Sequence, residues 1–202
     1  SYVITATNGI KYAATLEEAA GIEGATVIQV LRTFTDEVAA TINQNVTLDT
    51  NGKTLTMAEK ITVANGKTAT FVDTAETKGK LERTTGNLIT NNGTVKVGTQ
   101  NSTNGAILES KDCVIYGASG DVEVNSGKLN VTGKGQWTTN YTTIWAKNIT
   151  IRGGEVTNDY VNFGIIGLNN INITGGKVNG KHCGIHNGSS GGTLNISGNT
   201  EI

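Results

Sequence analysis

Ile149-Thr150-Ile151, followed by Gly153-Gly154-Glu155-Val156-Thr157, returns further along the chain as Ile171-Asn172-Ile173 and Gly175-Gly176-Lys177-Val178-Asn179. In each copy an apolar–polar–apolar triplet precedes a Gly-Gly corner, and a second short run follows the corner. Alternation with period two is the signature of a strand whose first and third side chains face one side and whose middle one faces the other. A third copy of the triplet, Leu194-Asn195-Ile196, comes at nearly the same interval after the second. A strand that recurs roughly every 20–23 residues, always pointing the same way, describes one coil of a solenoid.

Outward from this stretch the same unit, a small residue and a spacer before apolar–x–apolar, appears repeatedly. It is found as Gly93-Thr94-Val95-Lys96-Val97, Gly120-Asp121-Val122-Glu123-Val124 and Gly127-Lys128-Leu129-Asn130-Val131. The spacing aligns Leu129 with Ile149, Ile171 and Leu194, and Val131 with Ile151, Ile173 and Ile196, as two inward columns. Trp137, Val156 and Val178 follow the first corner, and Ile144, Ile165 and Ile185 follow the second. Three strands per coil make three parallel sheets around one narrow core, and the chirality of parallel crossovers predicts a right-handed coil. Val46–Leu48 and Thr68–Val72 read as earlier coils, for about seven in all. Between Thr94 and Leu129, Val114–Tyr116 and Val122–Val124 crowd into less than one coil, which predicts an irregular coil or a protruding loop. Ile202 falls inside a coil, so the segment is expected to continue into further domains of a longer chain.

Residues 1–41 differ from the rest and are assigned to an N-terminal cap of strand, short helix and strand, with residues 42–202 as the β-helix. Thr15-Leu16-Glu17-Glu18 has the form of a capping box, with Thr15 as N-cap and Glu18 reaching back. Leu16, Ala19, Ala20 and Ile22 give the helix an apolar face, and Gly21 or Gly24 ends it. Such a cap covers the apolar core and strand edges that an open solenoid end would expose.

Composition agrees with an all-β chain. There are 27 Gly, no Pro, 16 % charged and only 5 % aromatic residues among 202, which favours strands of Thr, Val and Ile joined by tight corners. Nine Lys/Arg stand against ten Asp/Glu in residues 1–100, and seven against seven thereafter. A balance this even lacks the basic stripe that nucleic acid requires. No apolar run reaches membrane-spanning length, so no membrane insertion is expected in this segment. Cys113 and Cys183, three or four coils apart at about 4.8 Å per coil, lie beyond disulfide reach and read as free, buried thiols.

Ile10-Lys11-Tyr12 with Thr15–Ala20 resembles the opening module before β-helix repeats in large surface proteins of Gram-positive bacteria. Val46-Thr47-Leu48-Asp49-Thr50-Asn51-Gly52-Lys53-Thr54-Leu55 resembles the first coil that follows it there. With the Gly-Gly-x-Val repeats, the resemblance covers most of the chain. It implies a pectin-lyase-like right-handed β-helix, secreted or attached to a cell surface through other parts of the chain. Such folds include adhesin-like stalks and polysaccharide-degrading enzymes, so the resemblance does not decide activity.

A lyase or hydrolase would need clustered carboxylates, and a lyase also a calcium site and a basic residue. The regular coils offer only Glu155, Asp159 and Glu201, with Glu155 one coil below Lys177 and Asp159 near Lys181, which reads as surface charge pairing. No catalytic residue and no cofactor is therefore assigned. Lys181-His182-Cys183-Gly184-Ile185-His186 has the residue types of a zinc site. Alternation, however, puts Cys183 with Ile185 on one side and His182 with His186 on the other, and no fourth ligand is evident, so no metal is assigned. Cys183 also replaces Phe163 of the previous coil, a core position. The Asn-x-Thr/Ser triplets fall within the strand repeat and read as corner chemistry. Thr54/Thr56 and Thr68/Thr70 resemble the pairs of ice-binding solenoids but do not continue up one face.

Aromatics gather late, at Trp137, Tyr141, Trp145, Tyr160 and Phe163. Trp137 aligns with core valines and is expected inward. Tyr141, Tyr160, His182 and His186 are the candidate binding residues, as exposed groups suited to a glycan or to a host or neighbouring-cell surface protein. The leading expectation is a non-enzymatic adhesin or stalk module. A polysaccharide lyase-like domain and a purely structural spacer are the alternatives.

Overall fold

The computed structural model describes residues 1–133, 142–160, 162–188 and 191–202. It is nearly all β, with 59 % strand and 3 % helix, wound as a parallel solenoid of about seven turns. Each turn contributes one strand to each of three sheets. The first sheet starts at Ala25–Val30 and rises through Val46–Asp49, Thr68–Val72 and Thr94–Val97. The second starts at Phe34–Asp36 and Thr54–Met57, and the third at Ala40–Ile42 and Ile61–Val63. From Ile115 onward the third-sheet strand of one coil runs into the first-sheet strand of the next as a single bent strand, as in Ile115–Val124 and Thr142–Ile151, and Phe163–Gly180 continues further into the second sheet.

Register makes three interior columns. In the first sheet Ile28, Leu48, Phe71, Val97, Val124, Ile151, Ile173 and Ile196 lie one over the next. In the second, Phe34, Leu55, Leu81, Leu108, Leu129, Val156 and Val178 do so. In the third, Ala40, Ile61, Ile89, Ile115, Ile144, Ile165 and Ile185 complete the lining. Most of these side chains are fully buried. At about 25 cal/mol per Å² of apolar area, their burial is the main stabilising term.

Two sequence expectations change. Leu129 and Val131 do not precede Ile149 and Ile151. They belong to the second sheet, above Leu108 and Ser110, and Val122 and Val124 hold the expected place. The Gly-x-apolar-x-apolar unit follows corners of more than one sheet, so its spacing alone does not say which column a copy joins. Val114–Tyr116 and Val122–Val124 are then consecutive sides of one coil, joined through a register shift between Gly117 and Asp121. The added length in that stretch lies in residues 98–106, between Thr94–Val97 and Ile107–Ser110. Ala25–Val30, within the residues assigned to the cap, pairs in parallel with Val46–Asp49.

That cap opens with an antiparallel hairpin, Tyr2–Ala6 with Gly9–Ala13, and the helix Leu16–Gly21. The capping box forms as expected: Glu18 N–H donates to Thr15 Oγ1 at 3.2 Å, and Thr15 N–H donates to the Glu18 carboxylate at 3.3 Å. Leu16, Ala19 and Ala20 face the core. One buried carboxylate fastens the cap to the first coil. Asp36 accepts from the Tyr2 hydroxyl at 2.8 Å and from the Leu16 N–H at 2.7 Å. Burial, and the Asp36 carboxylate beside it, push the Tyr2 phenol well above its usual range.

At the opposite end the inward positions lie open: Leu194 is 45 % and Ile196 48 % exposed.

Asp36→Ala should strand the Tyr2 hydroxyl and the Leu16 N–H without an acceptor, and lower unfolding free energy by about 2–5 kcal/mol. Chemical denaturation read by circular dichroism measures it, and a loss below about 0.5 kcal/mol would show the clamp to be unimportant.

Candidate functional site

The polar groups inside the coils are engaged in building corners. Asp49 accepts from Asn51 N–H at 2.9 Å, Thr74 N–H at 3.0 Å, the Thr74 hydroxyl at 2.6 Å and Gln29 Nε2 at 3.0 Å. Three successive coils are tied at that one side chain. Burial would raise its carboxyl, but the hydrogen bonds from Thr74 and Gln29, with the backbone N–H groups of Thr74 and Asn51, outweigh it and hold the group below its usual value. Asp73 is caged likewise, by the Thr50 hydroxyl and the N–H groups of Gly52, Ala75 and Gly79. Asp112 differs: it is buried, one carboxylate oxygen has no partner, and burial pushes its carboxyl up. Among the described residues no three His, Cys, Asp or Glu side chains gather as a metal site.

Ion pairs run coil to coil up the outer faces of the first two sheets. Glu123 bridges Lys96 and Arg152 at 3.3 and 3.1 Å. Lys80 meets Glu82 and Glu109 at 2.7 and 2.9 Å. Glu155 pairs with Lys128 at 3.5 Å, and Lys177, in register above Glu155, pairs with Glu201 at 2.7 Å. Asp159 accepts from Asn179 at 3.0 Å rather than meeting Lys181. These are partly exposed pairs of small individual worth.

The third sheet is different. Its outward column reads Thr41, Thr62, Thr90, Tyr116, Trp145, Ile166 and His186 from the cap upward. Threonines give way to an aromatic and aliphatic stripe in the last four coils. The Tyr116 ring meets Trp145 edge-on, with centroids 5.4 Å apart. The Phe163 and His186 rings lie 4.9 Å apart at a tilt of 38°. A cavity of about 260 Å³ opens among Trp145, Phe163, Ile166, Leu168, His186 and Gly188. Apart from His186 no lining residue among those described is ionisable. The Trp145 indole Nε1–H is buried without an acceptor among the described residues, an expensive state for a donor.

Along the adjoining corner runs a ladder of amides. Asn148 donates to Asp121 at 2.7 Å, Asn169 and Asn170 donate to Asn148 Oδ1 at 3.0 and 3.2 Å, and the Thr193 hydroxyl donates to Asn170 Oδ1 at 2.9 Å. Stripe and ladder run in parallel up the solenoid, one apolar and one polar.

Among the described residues chosen from sequence, only His186 lines this cavity. Tyr160 is exposed at 42 %, in the turn before Phe163, and its N–H donates to Asn158 Oδ1. His182 is exposed outside the cavity lining. Tyr141 and Trp137 lie outside the described residues. Sequence reasoning misses Trp145, Phe163 and Tyr116. Trp145 and Tyr116 are middle residues of third-sheet triplets, and that position alone marks them as outward. Alignment with Cys183 makes Phe163 read as core. The register is right, Phe163 over Cys183, yet the Phe163 ring reaches the outer cavity. Cys183 is exposed, contrary to its reading as buried, because no coil among the described residues covers it. Cys113 is buried as expected, and both thiols are free. Burial pushes the Cys113 thiol up.

Compared with known protein families, with curated proteins and with solved structures, the chain finds no match in any of the three.

The folded protein should take up one thiol reagent per chain quickly, at Cys183, and a second only on unfolding; rapid labelling of Cys113 would contradict its burial. Asp49, with its folded value lowered, contributes stability that is present above about pH 4, the ordinary carboxyl value. That contribution is lost as pH falls through the lower folded value. Asp49→Asn should therefore be destabilised at neutral pH and show a shallower acid limb in thermal midpoint against pH. An unchanged limb would remove Asp49 from the acid response.

Proposed function

We propose that this chain is a non-catalytic recognition segment of a secreted or surface-displayed protein. A rigid β-solenoid holds an aromatic groove on one face, away from the carrier. The observation that carries the reading is the stripe of Tyr116, Trp145, Ile166 and His186 in register on the third sheet, with a cavity lined by the last three. Tyr116 is 41 % exposed and Trp145 half-buried, while Ile166 is buried at the cavity; an outward apolar column that opens into a cavity is the kind of surface that binds ligands. The stacked coils make the groove a preformed surface, which lowers the ordering cost of binding. The carboxylates Asp36, Asp49 and Asp73 serve folding, since their oxygens accept from cap and corner donors. The resemblance of residues 10–20 and 46–55 to Gram-positive surface proteins supports display at a cell surface.

The test is binding without turnover. The chain, immobilised, should retain ligands from arrays of glycans and surface proteins, and Trp145→Ala should abolish retention while leaving the thermal midpoint within a few degrees. Unsaturated uronate formation from polygalacturonate in the presence of calcium, at a rate above a heat-inactivated control, would overturn the non-catalytic reading.

A further inference from the structure

Resting on that reading, we infer that the groove takes a neutral, linear polysaccharide chain lying along the solenoid axis. Direction comes from the register. Tyr116, Trp145, Ile166 and His186 occupy equivalent places in consecutive coils, and strands stack at about 4.8 Å. Over three such steps the stripe extends roughly 14 Å along the axis. It is a single column of side chains, widened by Phe163 and Leu168 at the cavity, a shape for an elongated ligand.

Size comes from the cavity. At about 260 Å³ it lies below the roughly 300–1,000 Å³ that encloses a whole small ligand. It holds one ring-sized piece of something longer. Chemistry comes from the two sides of the groove. A pyranose ring presents C–H groups on its faces and hydroxyls around its edge. The Tyr116, Trp145 and Phe163 rings and the Ile166 side chain offer apolar surface to the former. The Asn148, Asn169, Asn170 and Thr193 ladder offers amides and a hydroxyl for the latter, rising coil by coil beside it. The unpaired Trp145 indole N–H is a further donor at the cavity wall. It is covered in the free protein, so a sugar oxygen reaching it must shift the ring.

Charge selects among polysaccharides. Among the described residues the cavity lining holds no Lys or Arg, while the Asp121 carboxylate stands at the foot of the amide ladder. Polyuronates would meet repulsion at Asp121, and the described cavity lining offers them no Lys or Arg. Neutral chains would meet no such repulsion.

Affinity electrophoresis of the whole chain through gels containing hydroxyethylcellulose, galactomannan, mixed-linkage β-glucan, amylose or polygalacturonate tests this. At least one neutral polymer should retard the protein more than polygalacturonate does. Trp145→Ala should weaken that binding about tenfold or more, the loss typical of removing an aromatic anchor, while Trp145→Phe should keep part of it. Trp137→Phe leaves Trp145 as the sole indole emitter, and its emission should shift as the neutral polymer is titrated in. Preference for polygalacturonate would overturn the inference. So would retardation unchanged in a folded Trp145→Ala protein. Retention of proteins or peptides alone, lost in Trp145→Ala, would overturn the polysaccharide but keep the groove as a recognition site. Failure to retain any ligand class would sink both readings.

Discussion

Vertical registry is the constraint on which the molecule depends. A parallel solenoid has no partner domain to pack against, so each inward side chain must rest on the one a coil below, and each strand must find its hydrogen bonds in the next coil. Ile28 to Ile196, Phe34 to Val178 and Ala40 to Ile185 satisfy this in three columns at once. The demand is local and repeated, which is why short triplets of ordinary aliphatic residues suffice to specify it. Corner geometry is where the sequence must be particular. Gly154 and Gly176 take positive φ, at 81° and 84°, at the two copies of the Gly-Gly corner that first reveal the repeat. A side chain at either would be strained there.

The same registry governs the outside. Whatever is placed at the middle of a triplet is repeated in space at coil spacing, whether a carboxylate facing an ammonium or an indole facing a phenol. Charged ladders on two sheets and an uncharged stripe on the third are thus one device with different residues. The division of labour is clear among the acids. Asp36, Asp49 and Asp73 turn inward or into corners, accept backbone N–H groups and hold coils together. The Glu side chains of the first two sheets turn outward and meet cations.

Much of the fold is legible in the sequence because its signal is periodic. The capping box at Thr15 and Glu18, the matched corners at 153–157 and 175–179 and the third-sheet isoleucines need only alternation and spacing. Spacing misplaces Leu129 because the step from Val122 to Ile149 is longer than the step from Ile149 to Ile171, and a corner motif carries no label for its sheet. The candidate site is less legible. Its membership follows from which coil lies over which, so Trp145 and Tyr116 become neighbours although a whole coil of sequence separates them. Counting exposed-looking aromatics favours Tyr160, which stands apart in a turn. Cys183 shows the converse: its column is right, but burial needs a covering coil as well as an inward position.

Corner lengths vary widely while the columns stay straight. The first and second sheets are joined by residues 125–127 after Val124, by 73–79 after Val72 and by 98–106 after Val97. The strands beneath and above the longest of these, Thr68–Val72 and Asp121–Val124, still pair residue for residue with Thr94–Val97. Closing a longer loop between fixed ends adds little entropy cost. The edge at residues 98–106 is thus a natural graft point, where foreign peptide could be spliced into the rod and carried on its flank without disturbing the scaffold that displays it.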